Sequence, residues 1–501
     1  MDTKALRQKI LDLAIRGKLV PQDQNDEPAS VLLERIREQK KQMVKDGKLK
    51  PKDIKKDTVI FKGDDNLHYE KFPDGSVKCI EDEIPFNLPE GWEWARLKHI
   101  CMMVAGKPKP SEQIKHTPFE GSYPCFGGNG IRGYVDEYNR DGTFSIVGRQ
   151  GALCGNINVA SGKFYATEHA VITTIFTGID FDWCNYILEA LQLNKYATGA
   201  AQPGLSVANI LNVFVPVPPL NEQVIIGAKV SESIKLIDII EHEKASLQEI
   251  ADKIKSKILD LAIRGKLVPQ DPNDEPASVL LERIRAEKEE LIKQGKIKRD
   301  KKEFVIFKGD DNSYYQDLPE NWIKIRLSSI SEIITKGTTP RGGRIAYSQS
   351  GIGFLRAENI AGYDKLNLSN LNYIDEESHN NYLKRSILKE NDILITIAGT
   401  LGRTGIVPQQ ALPLNTNQAV AIIRLVDKNI INVKYLVYAI NSPQIKDDLL
   451  DKSVDVAIPN LSLENIADCN IPFPPFAEQK RIVTAIEEAF SKLDKISESL
   501  A

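Results

Sequence analysis

Between residues 221 and 264 apolar side chains recur at alternating three- and four-residue steps: Ile226, Val230, Ile237, Ile240, Leu247, Ala251, Ile254, Ile258 and Leu261. The segment holds no proline and a single glycine, Gly227. Such a stripe, interrupted by polar Ser233 and Lys244, predicts a coiled-coil helix about 66 Å long at 1.5 Å per residue. Gly265 supplies its stop and Pro269 bars continuation. A Pro/Asp/Asn-rich turn follows, then a second amphipathic helix predicted over 276–294, and again over 28–46, with Pro276 and Pro28 in their first turns. Elsewhere the pattern changes to short β-type runs punctuated by glycine. FSIVG, AVITTIF and VFVPV lie before the long helix; GFLRA, DILITIAG and AVAIIRL lie after it, with apolar helical pieces (DWCNYILEALQL, VKYLVYAINS) among them. The expected fold class is α+β: two mixed α/β globes, separated by two long antiparallel helical regions.

The chain is written twice. Residues 11–37 and 259–285 differ only at Gln24 against Pro272. VIFKGDDN recurs at 59–66 and 305–312, LPEGWEWARL (88–97) answers LPENWIKIRL (318–327), and LSVANILNVFVPVPPLNEQ (205–223) answers LSLENIADCNIPFPPFAEQ (461–479). Residues 477–501 match 221–245, and residues 2–16 match 250–264, so the two ends hold the second long helix cut in two. A pseudo-two-fold cyclic arrangement follows: helical region 1–66, first globe 67–219, central helical region 220–312, second globe 313–475, C-terminal helix 476–501. Within the globes the likeness is faint. VGRQGALCG (147–155) sits opposite IAGTLGRTG (397–405), and TEHAV (167–171) opposite TNQAV (416–420). Both read as strand, glycine-rich loop, strand. On this alignment Gly155 coincides with Gly405, Arg149-Gln150 faces Gly399-Thr400, and Leu153 faces Arg403.

Composition narrows the function. No apolar run approaches a membrane span, and the charged N-terminal stretch does not read as a signal peptide. Six cysteines without a CxxC pair argue against a zinc cluster or disulfide scaffold, which points to the cytoplasm. A net charge of −3 means that nucleic-acid binding must be local. The basic stretches KDGKLKPKDIKK and KQGKIKRDKK read as solvated linkers. FGGNG (126–130) fits the cofactor loop of S-adenosylmethionine methyltransferases, but no helix pattern follows it. The nearest approaches to an amino-methyltransferase motif, VPPL (217–220) and FPPF (473–476), lack the polar first residue. No phosphate-binding loop, metal spacing or catalytic dyad stands out; PDGSVK (73–78) reads as a turn before a strand.

LDLAIRGKLVPQDPNDEPASVLLERIR, the PPLNEQ and PPFAEQ helix starts and the globe–helix–globe–helix duplication together resemble the specificity subunit of a Type I restriction–modification enzyme, over essentially the whole chain. The resemblance implies that each globe is a target-recognition domain reading one half of a split, asymmetric DNA sequence, with the helices as a ruler. It implies double-stranded DNA, two modification subunits and restriction–translocase subunits as partners. This chain would then be non-catalytic and without cofactor; S-adenosylmethionine, ATP and Mg would sit on the partners. A stand-alone methyltransferase and a two-arm protein scaffold are the alternatives. Arginine and glutamine can contact base edges bidentately, and lysines hold phosphates. Candidate DNA contacts are therefore Lys107, Lys109, Asn129, Arg132, Arg149, Gln150 and Asn156 in the first globe. In the second they are Lys336, Thr338, Arg341, Arg344, Arg356, Asn359, Thr400, Arg403 and Thr404.

Overall fold

A computed structural model describes residues 2–199, 203–297, 299, 318–342, 347–427, 429–451 and 460–500. The second VIFKGDDN echo and Arg344 lie outside the described residues. The chain divides into two compact units, Met1–Glu243 and Lys244–Ala501. Among the described residues no helix is long and apolar enough to cross a membrane.

The first unit opens with α1 (Thr3–Ile15) and α2 (Ala29–Lys45). Gly17 ends α1 at φ +63°, a left-handed turn in which Lys18 N–H reaches back to Leu13 O at 2.8 Å. Pro28 stands one place ahead of its expected position, capping α2 from outside the first turn. A small sheet follows, β1 (Val59–Lys62), β2 (His68–Lys71) and β3 (Val77–Cys79), so the expected boundary at 66/67 falls inside the β1–β2 hairpin. PDGSVK makes the turn from β2 to β3.

The globe proper is clipped shut by its entry strand β4 (Glu93–Arg96) pairing with an exit strand, Phe214–Val217. Between them run β5 (Cys101–Ala105), β6 (Tyr123–Gly127), β7 (Gly130–Val135), β8 (Phe144–Gly148), β9 (Ile157–Ala160), β10 (Lys163–Ala166) and β11 (Ala170–Ile175), then α3 (Phe181–Ala190). One sheet has the order β9-β8-β11-β5; in the other β6 lies between β7 and β10, parallel to β10. The exit strand becomes β12, and α4 (Leu220–Ile263) starts directly after Pro218-Pro219.

The second unit repeats this plan. α5 (Ala277–Lys293) matches α2, and β13 (Ile323–Arg326) will pair with the exit strand. β14 (Ser331–Lys336), β15 (Ile352–Leu355), β16 (Asn372–Ile374), β17 (Ile393–Thr396), β18 (Thr404–Ile406), β19 (Leu414–Thr416) and β20 (Val420–Leu425) precede α6 (Val433–Ile440), β21 (Asn470–Phe473) and α7 (Phe476–Leu500). The sheet order β18-β17-β20-β14 is that of β9-β8-β11-β5, and β15 runs parallel to β19 as β6 does to β10. β13 pairs with β21.

The echoes in the sequence are the joints that hold helix to globe. In the first unit the buried Glu222, in the opening turn of α4, accepts Trp92 Nε1–H at 2.9 Å and Gln22 Nε2–H at 3.2 Å. In the second, Glu478 accepts Trp322 at 2.9 Å and Gln270 at 2.6 Å. The next residue does a second job: Gln223 donates to Pro218 O and accepts from Asp180 N–H, while Gln479 donates to Pro474 O and accepts from Asn432 N–H. This explains why the VPPL and FPPF segments are strand-to-helix joints rather than catalytic loops. Within each unit a short helical segment lies antiparallel to a longer one. Arg7 pairs with Asp238 at 2.6 Å in the first and Lys255 with Asp494 at 2.6 Å in the second.

The hydrophobic stripe on α4 departs from expectation in its second half. Ile226, Val230, Ile237 and Ala251 are buried as the stripe predicts, but Leu247 and Ile254 are exposed, and Leu259, Ala262 and Ile263, outside the stripe, are buried. A straight helix at 3.6 residues per turn drifts about 20° per heptad from a strict 3.5 repeat, so the inward face moves along the chain.

Candidate nucleic-acid interface

Backbone hydrogen bonds fix which residues of the two globes correspond. Gly106 N–H donates to Ala170 O and Gly337 N–H to Val420 O; Lys107 N–H donates to Ala166 O and Thr338 N–H to Thr416 O. Thr167 N–H reaches Phe126 O as Asn417 N–H reaches Leu355 O. Around the glycine-rich loops, Arg149 N–H donates to His169 O and Ile397 N–H to Ala419 O; Gly155 N–H donates to Gly148 O and Gly402 N–H to Thr396 O. Finally Gly148 N–H takes Asn156 O, and Thr396 N–H takes Arg403 O.

These bonds correct the alignment read from the sequence. Gly155 corresponds to Gly402, not Gly405; both take a positive φ, +87° and +73°. Arg149 corresponds to Ile397, Asn156 to Arg403 and His169 to Ala419. The loop of the second globe is one residue shorter (398–401 against 150–154), so matching its glycines by eye slips the register. The expectation of strand, loop, strand holds: β8 and β9 pair across one loop, β17 and β18 across the other.

In the first globe three loops and a strand end converge. A Cβ on Gly148 would meet Gly128 O at 1.9 Å, and one on Gly128 would meet His169 O at 3.3 Å. A Cβ on Gly106 would meet the carbonyl oxygens of Ala166 and Thr167 at 2.1 and 2.4 Å. The FGGNG segment is thus the end of β6 and a tight turn into β7, which opens a strand and not a helix. At its tip the exposed Asn129 accepts Asn156 Nδ2–H at 2.9 Å across from the neighbouring loop. Lys107 and Gln150 are exposed on the same loops and Arg149 is half-buried. Arg132 is exposed on β7, donating to Ser111 Oγ at 2.6 Å. Lys109 differs: its side chain is only 8% exposed and pairs with Glu137 at 2.8 Å, which holds the ammonium above the ordinary lysine range. Its charge is already paired with carboxylates of its own globe.

In the second globe Lys336 and Arg403 are exposed at the corresponding strand end and loop, and Thr400 is exposed at the loop tip. Arg356 pairs with Glu358 at 3.0 Å, and Arg341 lies over the Tyr382 ring at 4.7 Å. Thr338 accepts from Arg385 Nε at 3.3 Å. Two candidates belong to the interior instead. Asn359 is buried, its Oδ1 accepting Arg356 N–H and its Nδ2 donating to Asn367 O and Asn370 O. Thr404 is buried, donating to Tyr363 O and accepting from Asn441. Both are polar residues that a turn and a helix end consume, so neither is left to meet a ligand. Conversely, exposed Arg385, beside Thr338, was not among the sequence candidates. It sits in a short 3-10 turn, Lys384–Ser386, far along the chain, and only the fold brings it to the strand end.

The chain matches the family described as Type I restriction modification DNA specificity domain over residues 89–249 and 319–500. It is 28% identical to the Type I restriction enzyme EcoAI specificity subunit of Escherichia coli, across 98% of this chain and 90% of that one. It is also 28% identical to the EcoEI specificity subunit of the same organism, across 99% and 90%. Identity rises to 43% with the Escherichia coli EcoprrI specificity subunit, over 32% of this chain and 39% of that one. A chain in a solved structure of a type I R-M system shares the fold, with a TM-score of 0.54 over 83% of this chain and 94% of that one, at 14% identity. Two matched regions, each beginning just ahead of a paired entry strand and ending in or at the end of a long helix, place the chain in the Type I restriction–modification DNA specificity family.

Proposed function

We propose that this chain is the address-reading subunit of a Type I restriction–modification complex. Each globe reads one half of a split, asymmetric duplex sequence, and the helical regions fix the gap between the halves. The observation that carries this reading is the pair of glycine-framed loops: the same backbone hydrogen bonds hold them, while the exposed side chains they present differ. A kept frame with exchanged polar side chains is what two readers of unlike sequences require. Of the candidate residues, Lys107, Asn129, Arg132, Arg149, Gln150 and Asn156 in one globe, and Lys336, Thr338, Arg341, Arg356, Thr400 and Arg403 in the other, remain available as DNA contacts. Phosphate contacts would set register and make affinity salt-dependent.

The chemistry belongs to partners in this reading. Two modification subunits carrying S-adenosylmethionine methylate adenine, which must leave the base stack to be reached, and restriction–translocase subunits use ATP and Mg. Support for docking on the helices comes from the first half of α4. It exposes Val224, Ile225, Leu236 and Ile239 at 50–57%, at positions where α7 has Lys480, Arg481, Lys492 and Lys495. The test is a genome-wide adenine-methylation map of source cells with and without the gene. Loss of one motif made of two short unlike halves around a fixed gap supports the reading, and an unchanged map in an active system contradicts it.

A further inference from the structure

The correspondence between the globes identifies a place where the exposed side chains differ in hydrogen-bonding character. In the first globe the turn after Phe126 is Gly127-Gly128-Asn129, and the loop residue beside it is Asn156. In the second, Leu355 is followed by Arg356 and a short 3-10 turn, Ala357–Asn359, and the loop residue at the place of Asn156 is Arg403. At this strand end and loop the first globe therefore presents carboxamides and the second guanidinium groups, with Arg356 at the place of Gly127 and Arg403 at that of Asn156.

We infer that these strand ends and loops are the base-reading heads of the two globes, the first selecting adenine through the Asn129–Asn156 pair and the second selecting guanine through Arg356 and Arg403. The inference rests on the DNA-recognition reading above and deepens it. Adenine offers the major groove an acceptor, N7, beside a donor, N6–H; guanine offers two acceptors, N7 and O6. The hydrogen bond from Asn156 Nδ2 to Asn129 Oδ1 leaves Asn129 Nδ2–H as a donor and Asn156 Oδ1 as an acceptor, on two exposed side chains. That donor and acceptor side by side complement adenine. The Arg356 fork has only donors, and Glu358 at 3.0 Å takes some of them and holds its plane. The donors left over match guanine and cannot match the N6–H of adenine. Asn129, Asn156 and Arg356 are each held by a neighbour before DNA arrives, so little rotamer freedom is lost on their contact.

The neighbouring candidates fit a division of labour. Lys107 and Lys336 stand at the ends of equivalent edge strands and carry charge without a planar fork, as phosphate contacts do.

The test is selection of bound sequences from a randomised duplex library by the full-length chain and its variants. The wild type is expected to enrich two half-sites, one with a fixed adenine and the other with a fixed guanine. Asn129→Ala with Asn156→Ala should flatten the adenine preference about tenfold in the first half and leave the other half intact. Arg356→Ala with Arg403→Ala should do the converse at guanine. Asn156→Arg should move the first half's preference from adenine toward guanine. The half that is untouched in each variant reports that the chain is folded. If the wild type enriches half-sites whose adenine and guanine preferences survive all three variants, the inference is wrong and the DNA-recognition reading stands. If the wild type enriches nothing, the recognition reading fails and takes the inference with it.

Discussion

His99 is a residue that only one of the two units has; Ser329 stands at its place in the other. Its Nδ1 accepts Arg96 N–H at 3.1 Å and its Nε2 lies 3.3 Å from Thr58 Oγ1, whose hydroxyl donates to the buried Glu70. Arg96 closes the cluster on Glu70 at 2.8 Å through Nε. Burial, with Lys98, Lys40 and Arg96 nearby, pushes the imidazole well below its ordinary value of 6.5. A base whose folded-state pKa is depressed adds stability above its unfolded pKa, and that stability is lost as pH falls below it. The denaturation midpoint of the first unit should therefore drop between pH 7.5 and 5.5, and should drop less in His99→Gln, which keeps an acceptor and a donor. Equal acid sensitivity in the two proteins would assign the loss elsewhere. The carboxylates at the joints shift the other way. Burial raises Glu222 and Glu478 above the usual glutamate range against the pull of their tryptophan and glutamine donors, so their ionisation opposes folding as pH rises through that range. Trp92→Phe removes one donor from a buried carboxylate and should cost about 1–3 kcal/mol in urea denaturation, with Trp322→Phe the matching loss in the second unit. The sequence announced these residues, because LPExW and the EQ pair each occur twice. It gave no sign that Asn359 and Thr404 are interior, since a polar side chain in a glycine-rich stretch looks alike whether a neighbouring carbonyl or solvent satisfies it.

At the scale of elements, repetition made the helices and the entry and exit strands legible. The long helix was readable from its stripe, though not the drift of its buried face, which accumulates from the mismatch between 3.5 and 3.6 residues per turn. The globes were readable only as strands and loops. Their true register follows from backbone hydrogen bonds, and a one-residue difference in loop length is enough to misplace Arg403 against its counterpart. The glycines at the strand ends carry the convergence of the loops. Gly106→Ala would drive a Cβ to 2.1 Å from Ala166 O, and Gly337→Ala to 2.1 Å from Asn417 O. Either change must move backbone, and a loss of about 1–3 kcal/mol in the unit concerned is expected by denaturant titration. On α4, Leu236→Glu with Ile239→Glu should leave the melting of the chain unchanged, because both side chains are exposed. The same change should weaken co-purification of the modification subunit by at least about tenfold. Normal recovery of the partner would show that this face is not where it docks.

The whole molecule is two versions of one plan, and its proposed role depends on the two versions acting independently on one duplex. Each unit has its own core, its own tryptophan–carboxylate joint and its own framed loop. A reader built this way can change one half of its address without disturbing the other. The most direct test exchanges residues 98–204 for the corresponding segment of a related specificity subunit and maps methylated adenines in cells carrying the hybrid. A motif with one new half, the other half unchanged and the same number of base pairs between them is the expected outcome. A hybrid that methylates but alters both halves, or keeps the original motif, would contradict it.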